Sequence, residues 1–133
     1  PACEDAGVVC TPYSPLASGK LTDPWGTQTN RSLNDLQVQR KYAATENVDR
    51  PIVERVEKLA KERGVPMAQI AMAWLLHKSP VQAPILGVTE NFMIDDAIAA
   101  TNLQLSDEEI KYLEELYVPH RVVGAVTKAG TMY

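Results

Sequence analysis

The segment Gly7-Val-Val-Cys-Thr11 is a short run rich in β-branched residues that ends at Pro12, a pattern typical of a buried strand. The residues that follow, Tyr13-Ser-Pro-Leu-Ala-Ser-Gly-Lys-Leu21, contain a Pro and a Gly, which favour a loop over a regular element. Later in the chain, Pro84-Ile-Leu-Gly-Val88 is a second short apolar run. The two runs predict two short strands, the first of which leads directly into a loop.

Two helices are predicted between these strands. Residues 51–63 carry apolar side chains on one stripe at helical spacing, with Asp49 as a cap and Gly64 as a stop. Residues 66–78 are apolar on most faces, so a helix there should be largely buried. His77 falls at the end of this second helix, where we expect it to interact with the helix C-terminus rather than to act as a catalyst.

Two further helices are predicted after the second strand. One covers residues 91–101 and follows Thr89. The next begins at Ser106-Asp-Glu-Glu109, which has the pattern of a capping box, and ends before Pro119. The acidic residues of that box favour a helix start and do not form a metal site. The tail over 122–133 is weakly patterned.

The stretch from Thr22 to Asn47 shows little periodicity. It contains Pro24 and Gly26, several Thr and several Asn. The sequence therefore predicts a loop, and loops of this length in a compact domain are usually functional or mobile.

Strands that alternate with helices predict parallel β/α units and hence an α/β fold. Two strands make a poor sheet, because parallel strands are normally covered on both faces and paired on both edges. The chain also opens at Pro1 without an initiator Met. Taken alone, the sequence is that of a piece of an α/β sheet.

The composition excludes several classes of protein. The chain has 133 residues with 13 Lys plus Arg and 17 Asp plus Glu, and its net charge of −4 argues against a nucleic-acid partner. Its longest apolar stretch is too short to cross a membrane, and no signal peptide is visible. Cys3 and Cys10 are too few for a disulfide framework, no His/Cys grouping has zinc spacing, and reduced thiols favour a cytoplasmic protein.

Three segments in the same order resemble the C-terminal part of the aldo-keto reductases. The first is Tyr13–Leu21 with Trp25 and Arg31 downstream, and the second is Pro84–Thr89 with the helix after it. The third runs from the capping box through Tyr117-Val-Pro-His-Arg-Val-Val-Gly124. The Tyr-Ser-Pro-Leu signature is similar to the bacterial and fungal branch that includes reductases like the potassium-channel β-subunits.

The resemblance implies the last β/α units of a (β/α)₈ TIM barrel, incomplete as given, since such barrels need about 250 residues. It implies reduction of aldehydes or ketones with NADP(H), by a catalytic Asp, Tyr, Lys and His that lie upstream of this chain. No residue here is expected to be catalytic, and Tyr13 is not the proton donor. The chain would then divide into a strand and pyrophosphate loop (1–21), a long coenzyme-strap loop (22–50), helices (51–78), a strand and helix (83–101), a terminal helix (106–118) and a tail (119–133).

The first segment would supply the nicotinamide and pyrophosphate contacts. By resemblance, Tyr13 stacks on the nicotinamide. Backbone amides and a hydroxyl would meet the pyrophosphate, and a lysine would add a charge-assisted contact. The residues that this implies are Ser14, Leu16, Ser18, Gly19 and Lys20.

Other segments would supply the remaining coenzyme contacts. Arg31 would clamp over the phosphates from the strap loop. Gly87, Val88 and Thr89 would meet the adenosine end beside a helix N-terminus. Asp96 would accept a hydrogen bond from the adenine amino group.

Three residues depart from the family pattern. Related chains often carry a basic residue where this one has Glu90 or Asp23, and a donor side chain where it has Met93. A carboxylate repels a 2′-phosphate and a thioether cannot donate to one, so use of NADH and loss of binding both stay open beside NADP(H).

The same residues also allow simpler, purely structural interpretations. Tyr13–Leu21 can be an ordinary loop, Arg31 a solvated side chain, Thr89 a helix cap and Cys10 a small core residue.

The sequence leaves two hypotheses about function open. The chain is either the coenzyme-binding part of a reductase, which acts on a small carbonyl substrate together with its missing N-terminal half, or a truncated, non-catalytic module that binds another copy through open strand edges.

Overall fold

Helices account for most of the secondary structure in the computed structural model, which describes residues 2–119, 126–128 and 131–132. Side chains are described for residues 2–29, 32–36 and 38–119. The elements are α1 (Ala2–Asp5), a 3₁₀ turn (Ala17–Gly19), α2 (Asn30–Asn34), α3 (Leu36–Tyr42), α4 (Glu46–Arg63), α5 (Met67–Leu76), α6 (Asn91–Asn102), α7 (Asp107–Glu114), β1 (Val126–Lys128) and β2 (Thr131–Met132).

The core forms where α5 packs between α4 and α6, with α7 against α4. Ile70 of α5 is 0% exposed and lies at the centre of this core. Arg55 of α4 adds a polar connection, because it donates to the backbone oxygen of Tyr112 and forms a 2.6 Å ion pair with Glu115. The buried members of the cluster are Val53, Val56, Leu59, Ala60, Met67, Ile70, Ala73, Leu105, Ile110 and Leu113.

The helix α4 begins earlier than the sequence predicts. It starts at Glu46 after the N-cap Thr45, so Pro51 lies inside the helix and the predicted cap Asp49 is wrong. Asp49 sits within the first turn instead, where its carboxylate accepts a hydrogen bond from the buried Thr45 hydroxyl. The predicted stop is confirmed, because Gly64 has a φ of 65° and its amide donates to the last carbonyls of α4.

The other helix predictions differ from the structure by one or two residues at their ends, except that α7 ends at Glu114, four residues before the predicted end at 118. The helix α5 covers Met67–Leu76 rather than 66–78, and His77 is its C-cap, which confirms the place predicted for that histidine. The N-cap of α6 is Glu90, so the helix-cap reading of Thr89 is wrong. The capping box of α7 is confirmed, because the Ser106 amide donates to Glu109 over 2.7 Å and the Glu109 amide donates back to Ser106 over 3.2 Å.

The two predicted strands are not regular strands in this structure. They meet only as two parallel bridges, Cys10 with Val81 and Tyr13 with Ile85. Val8 and Val9 are 56% and 58% exposed, so the prediction of a buried strand over 7–11 is wrong, and Ile85 of the second segment is 58% exposed as well. A parallel strand is stabilised by neighbours on both edges and by cover on both faces. The described residues give these two segments neither neighbours on both edges nor cover on both faces. The two bridges therefore do not extend into a regular ladder of hydrogen bonds.

The predicted loop over 22–47 contains two short helices, α2 and α3, and the start of α4, so that prediction is wrong in its second half. The Asp35 side chain accepts a hydrogen bond from the Val38 amide over 3.2 Å and so helps to begin α3. Val38 is buried and anchors this segment. The strands β1 and β2 form an antiparallel pair in the tail, while His120 and the rest of the predicted 119–133 tail, apart from Pro119, lie outside the described residues.

Candidate functional site

A strained turn follows the first bridge segment. Ser14, Ala17 and Ser18 have φ values of 57°, 49° and 59°, a region that residues with a Cβ rarely adopt, and Gly19 follows at 95°. We call Ser14–Gly19 the strained turn. Left-handed non-glycine residues persist only where the surroundings hold them, and they concentrate at functional sites. Leu16, at φ −103° and ψ 22°, precedes the left-handed Ala17, which is the alternation that turns backbone amides into a concave anion site.

A cavity of about 230 Å³ lies beside this turn, and we call it the turn cavity. Three of the predicted pyrophosphate residues, Ser18, Gly19 and Lys20, line it. Ser14 and Leu16 do not, and Leu16 packs instead against the small core of Ala68, Met72 and Ala100. The rest of the lining comes from Asp23, Pro24, Trp25, Gly26, Thr27, Gln28, Thr29, Ser32, Val38 and Glu46.

Thr22 braces the strained turn, although no pattern in the sequence singles it out. Its hydroxyl lies 2.8 Å from the Gly19 carbonyl oxygen and 2.7 Å from a carboxylate oxygen of Asp23. A hydroxyl carries one proton, so it donates to one of these acceptors at a time. Asp23, one of the three departures from the family pattern, thus has a local partner at the rim of the turn cavity.

The ammonium of Lys20 lies over aromatic rings. Its Nζ is 4.8 Å from the ring centroid of Trp25 and 5.9 Å from that of Tyr42, both within cation–π range. This side chain also lines a second cavity of about 150 Å³, and we call it the aromatic cavity. It is lined by Ala17, Lys20, Leu21, Trp25, Tyr42, Asp49, Ile52 and Val53.

The parallel bridge between Tyr13 and Ile85 brings the two predicted coenzyme segments together. The Ile85 amide donates to the Pro12 carbonyl over 2.8 Å, so the segments run side by side in one direction. The strained turn follows one and residues 87–89 follow the other, so both leave the pair at its carboxyl edge. Ligands of parallel α/β sheets bind at that edge. The Tyr13 side chain is 76% exposed there.

The predicted adenosine end is open. Gly87, Val88 and Thr89 are all exposed, and a Cβ on Gly87 would meet no atom within 4 Å. The Thr89 hydroxyl lies 3.8 Å from the Met93 sulfur. Asp96 is engaged within the fold, because Gln69 of α5 donates to its Oδ1 over 2.7 Å. Arg31 lies in α2, and its side chain is outside the described residues.

The shifted pKa values lie away from the turn cavity. A backbone hydrogen bond at the start of α7 lowers the pKa of Glu108. The Lys78 ammonium lowers the pKa of Glu114, and the neighbouring Cys3 thiol raises the pKa of Cys10. These shifts reflect a helix cap, an ion pair and a thiol contact.

Within the described residues, no cluster of three His, Cys, Asp or Glu side chains is placed to hold a metal ion. None of the described helices has the length and the hydropathy that a membrane span requires.

Comparison with known proteins decides the family. The model of the Aldo/keto reductase family matches residues 1–118, which include the strained turn, both bridge segments and all four long helices. The chain belongs to the aldo/keto reductase family. This is a family of oxidoreductases, and it implies a (β/α)₈ barrel, in which two adjacent parallel segments such as those bridged here are expected.

Fungal relatives agree with this assignment to the aldo/keto reductases. The chain is 42% identical over 124 residues to versiconal hemiacetal acetate reductase of Aspergillus parasiticus, covering 92% of this chain and 36% of that protein. It is 41% identical over 129 residues to aldo-keto reductase dtxS3 of Metarhizium robertsii, covering 92% of this chain and 33% of that protein. The chain therefore spans about a third of the length of these relatives.

Proposed function

We propose that this chain is the coenzyme-binding C-terminal portion of an NADP(H)-dependent aldo-keto reductase that reduces aldehydes or ketones. The observation that carries the proposal is the Tyr13–Ile85 bridge, which brings the strained turn and residues 87–89 to the same edge of two parallel segments. The catalytic Asp, Tyr, Lys and His of the complete protein lie outside this chain. The carbonyl substrate is a small molecule, and the free cysteines Cys3 and Cys10 are in keeping with a cytoplasmic protein.

The residues fit a dinucleotide at its pyrophosphate. In the proposal, Ser18 holds phosphate oxygens through its amide and its hydroxyl, and Gly19, whose own amide donates to the Leu16 carbonyl over 2.9 Å, lets the backbone come close to them. Ser14 and Leu16 shape the turn. Glycine is needed at position 19 because the backbone there has a φ of 95°, which residues with a Cβ rarely adopt. Lack of space is not the reason, since an added Cβ would lie 3.8 Å from the Thr22 hydroxyl oxygen, an ordinary contact distance. The bound coenzyme supplies hydride, and Tyr13 forms the exposed face against which the nicotinamide stacks.

The adenosine end would be held by Gly87, Val88, Thr89 and Asp96, with Arg31 closing over the phosphates. Asp96 already accepts from Gln69 with one oxygen, so its second oxygen would receive the adenine amino group. Glu90 and Met93 offer no donor to a 2′-phosphate, and Glu90 is exposed at the start of α6. NADH is therefore the alternative coenzyme that the test must include.

Coenzyme binding is tested by titrating NADPH and NADH into the chain while the tryptophan fluorescence is followed, to which Trp25 in the turn cavity and Trp74 in α5 both contribute. We expect saturable quenching by at least one nucleotide. Gly19→Ala should weaken binding, and Ile98→Ala, on the exposed face of α6, is the matched control. A wild-type chain that binds neither nucleotide overturns the proposal.

A second function is favoured by a different observation. Val8, Val9 and Ile85 are exposed on segments with open edges, which suits a truncated, non-catalytic module that binds a second copy of itself. Sedimentation of the chain separates the two proposals when it is combined with the titration. Association without nucleotide binding supports the module alone.

A further inference from the structure

Two cavities share Lys20 and Trp25 among their lining residues. Both side chains line the turn cavity, and both also line the aromatic cavity. The Lys20 side chain reaches from the end of the strained turn across Trp25 to Tyr42 at the end of α3. Lys20 therefore connects the strained turn, the loop that carries Trp25 and the end of α3, which are not joined by a common helix or strand.

The position of this ammonium bears on what Lys20 does. A lysine that binds a phosphate directs its ammonium into the phosphate site, whereas this ammonium rests on two ring faces. It makes no ion pair with a carboxylate among the side chains that the structure describes. To reach a phosphate, it would first have to leave both rings.

The strained turn is bonded less tightly at its Lys20 end, since the Gly19 amide donates to Leu16 over 2.9 Å and the bonds that follow it are longer. Its left-handed residues are held by backbone hydrogen bonds that are long at the Lys20 end, where the Lys20 amide donates to Ala17 and the Leu21 amide to Leu16, each over 3.3 Å. Bonds of that length lie beyond the usual range for N–H···O contacts. A side chain that fastens the end of the turn to Trp25 and Tyr42 opposes its relaxation to an ordinary conformation.

We propose that Lys20 is a positioning residue, which holds the strained turn in its phosphate-binding shape through Trp25 and Tyr42 and does not itself contact the coenzyme. The inference rests on the proposed function, since it concerns how the same site is kept in shape.

The test compares Lys20→Met with Lys20→Arg by calorimetric titration of the chain with NADPH and NADH. Methionine keeps the hydrocarbon stem and removes the charge, whereas arginine restores a cation that stacks on aromatic rings. We expect Lys20→Met to weaken binding about three- to tenfold, as loss of a half-exposed cation–π contact should, and Lys20→Arg to restore it. Lys58→Met is the matched control, because Lys58 lies 5.6 Å from the Tyr112 ring and far from both cavities.

Two readouts separate positioning from direct phosphate contact. If Lys20 acts through the rings, the salt dependence of binding is unchanged in Lys20→Met, and Lys20→Met weakens binding no further once Trp25→Leu is present. If Lys20 contacts a phosphate, the salt dependence of nucleotide binding is smaller in Lys20→Met than in the wild type, and the losses of binding free energy from Lys20→Met and Trp25→Leu add in the double variant. Either of these results overturns the inference.

The two proposals fail in different ways. A wild-type chain that binds neither nucleotide overturns the proposed function and the role of Lys20 with it. Normal binding by both the wild type and Lys20→Met overturns the role of Lys20 alone.

Discussion

The indole Nε1 of Trp74 donates a 2.8 Å hydrogen bond to a carboxylate oxygen of Glu114, which links α5 to α7. The Lys78 ammonium bonds to the same oxygen and lies 4.8 Å from the centroid of the Trp74 ring. One carboxylate therefore joins a cation and an indole at the edge of the core. This arrangement makes the stability of the protein depend on the charge of Glu114.

Acid should weaken this link. The Lys78 ammonium holds the pKa of Glu114 below its ordinary value, so the stabilisation is present above the unfolded-state pKa and is lost as the pH falls through the folded-state pKa. We expect the free energy of unfolding to decline below about pH 4.5 and to decline less in Glu114→Gln. At pH 7 that variant should be about 0.5–1 kcal/mol less stable, a small value because both side chains are partly exposed. Urea unfolding at pH 3 and pH 7 measures both effects.

The control for this prediction is Glu62→Gln. Glu62 pairs with Lys58 over 3.8 Å on the exposed face of α4, so its loss should change stability by no more than a few tenths of a kcal/mol. Equal effects of the two substitutions at pH 7 would contradict the prediction.

The core depends on Ile70. Because this side chain is fully buried in the cluster that α4, α5 and α7 form, Ile70→Ala should lower the free energy of unfolding by about 2–5 kcal/mol through lost contacts and a residual cavity. Ile98→Ala, on the exposed face of α6, should stay within about 0.5 kcal/mol. Chemical unfolding of both variants tests this, and a small loss for Ile70→Ala would show that the core is packed differently.

The sequence predicted the helices far better than the strands. Local signals were sufficient for α4 to α7, because Gly64 ends one helix by its backbone freedom and Ser106 begins another by a hydrogen bond three residues away. The strands depend on partners that are distant in sequence, so the exposed Val8 and Val9 form no ladder here.

The candidate site was predictable in part, for the same reason. The sequence pointed to Ser18, Gly19 and Lys20, which do line one cavity. It did not reveal that the Lys20 ammonium rests on Trp25, five residues away within a loop, or on Tyr42, more than twenty residues away, because neither contact leaves a periodic signal. The bracing hydroxyl of Thr22 was missed because threonine is common in loops.

Backbone strain at Gly19 gives a further prediction. Gly19→Ala forces a Cβ onto a residue with a φ of 95°, although space for it exists, so we expect a loss of about 1–2 kcal/mol in the free energy of unfolding. Gly87→Ala is the matched control, since its added Cβ meets nothing within 4 Å and its backbone is not left-handed. Thermal unfolding of the two variants compares them, and equal melting temperatures would argue against the strained conformation of the turn.

Catalysis gives a prediction about the chain by itself. General acid catalysis requires a proton donor within hydrogen-bond reach of the carbonyl oxygen, and the proposal puts that donor outside this chain. We therefore expect no measurable oxidation of NADPH or NADH when the purified chain is mixed with aldehydes or ketones. The control is a full-length fungal relative assayed with the same substrates. Steady turnover by a preparation of verified mass would contradict the prediction.

The open edges of the bridge segments predict self-association. Val8 and Val9 are neighbours at the open edge of the first bridge segment, and more than half of each residue is exposed. The chain should form dimers or larger species at micromolar concentration, and Val9→Lys should shift it toward the monomer, because a charge on an exposed edge opposes strand pairing. Leu36→Lys, which replaces an exposed leucine on α3, should leave the association unchanged. Sedimentation velocity measures all three proteins. A wild-type chain that is monomeric at every concentration would show that the bridged segments are not an association surface.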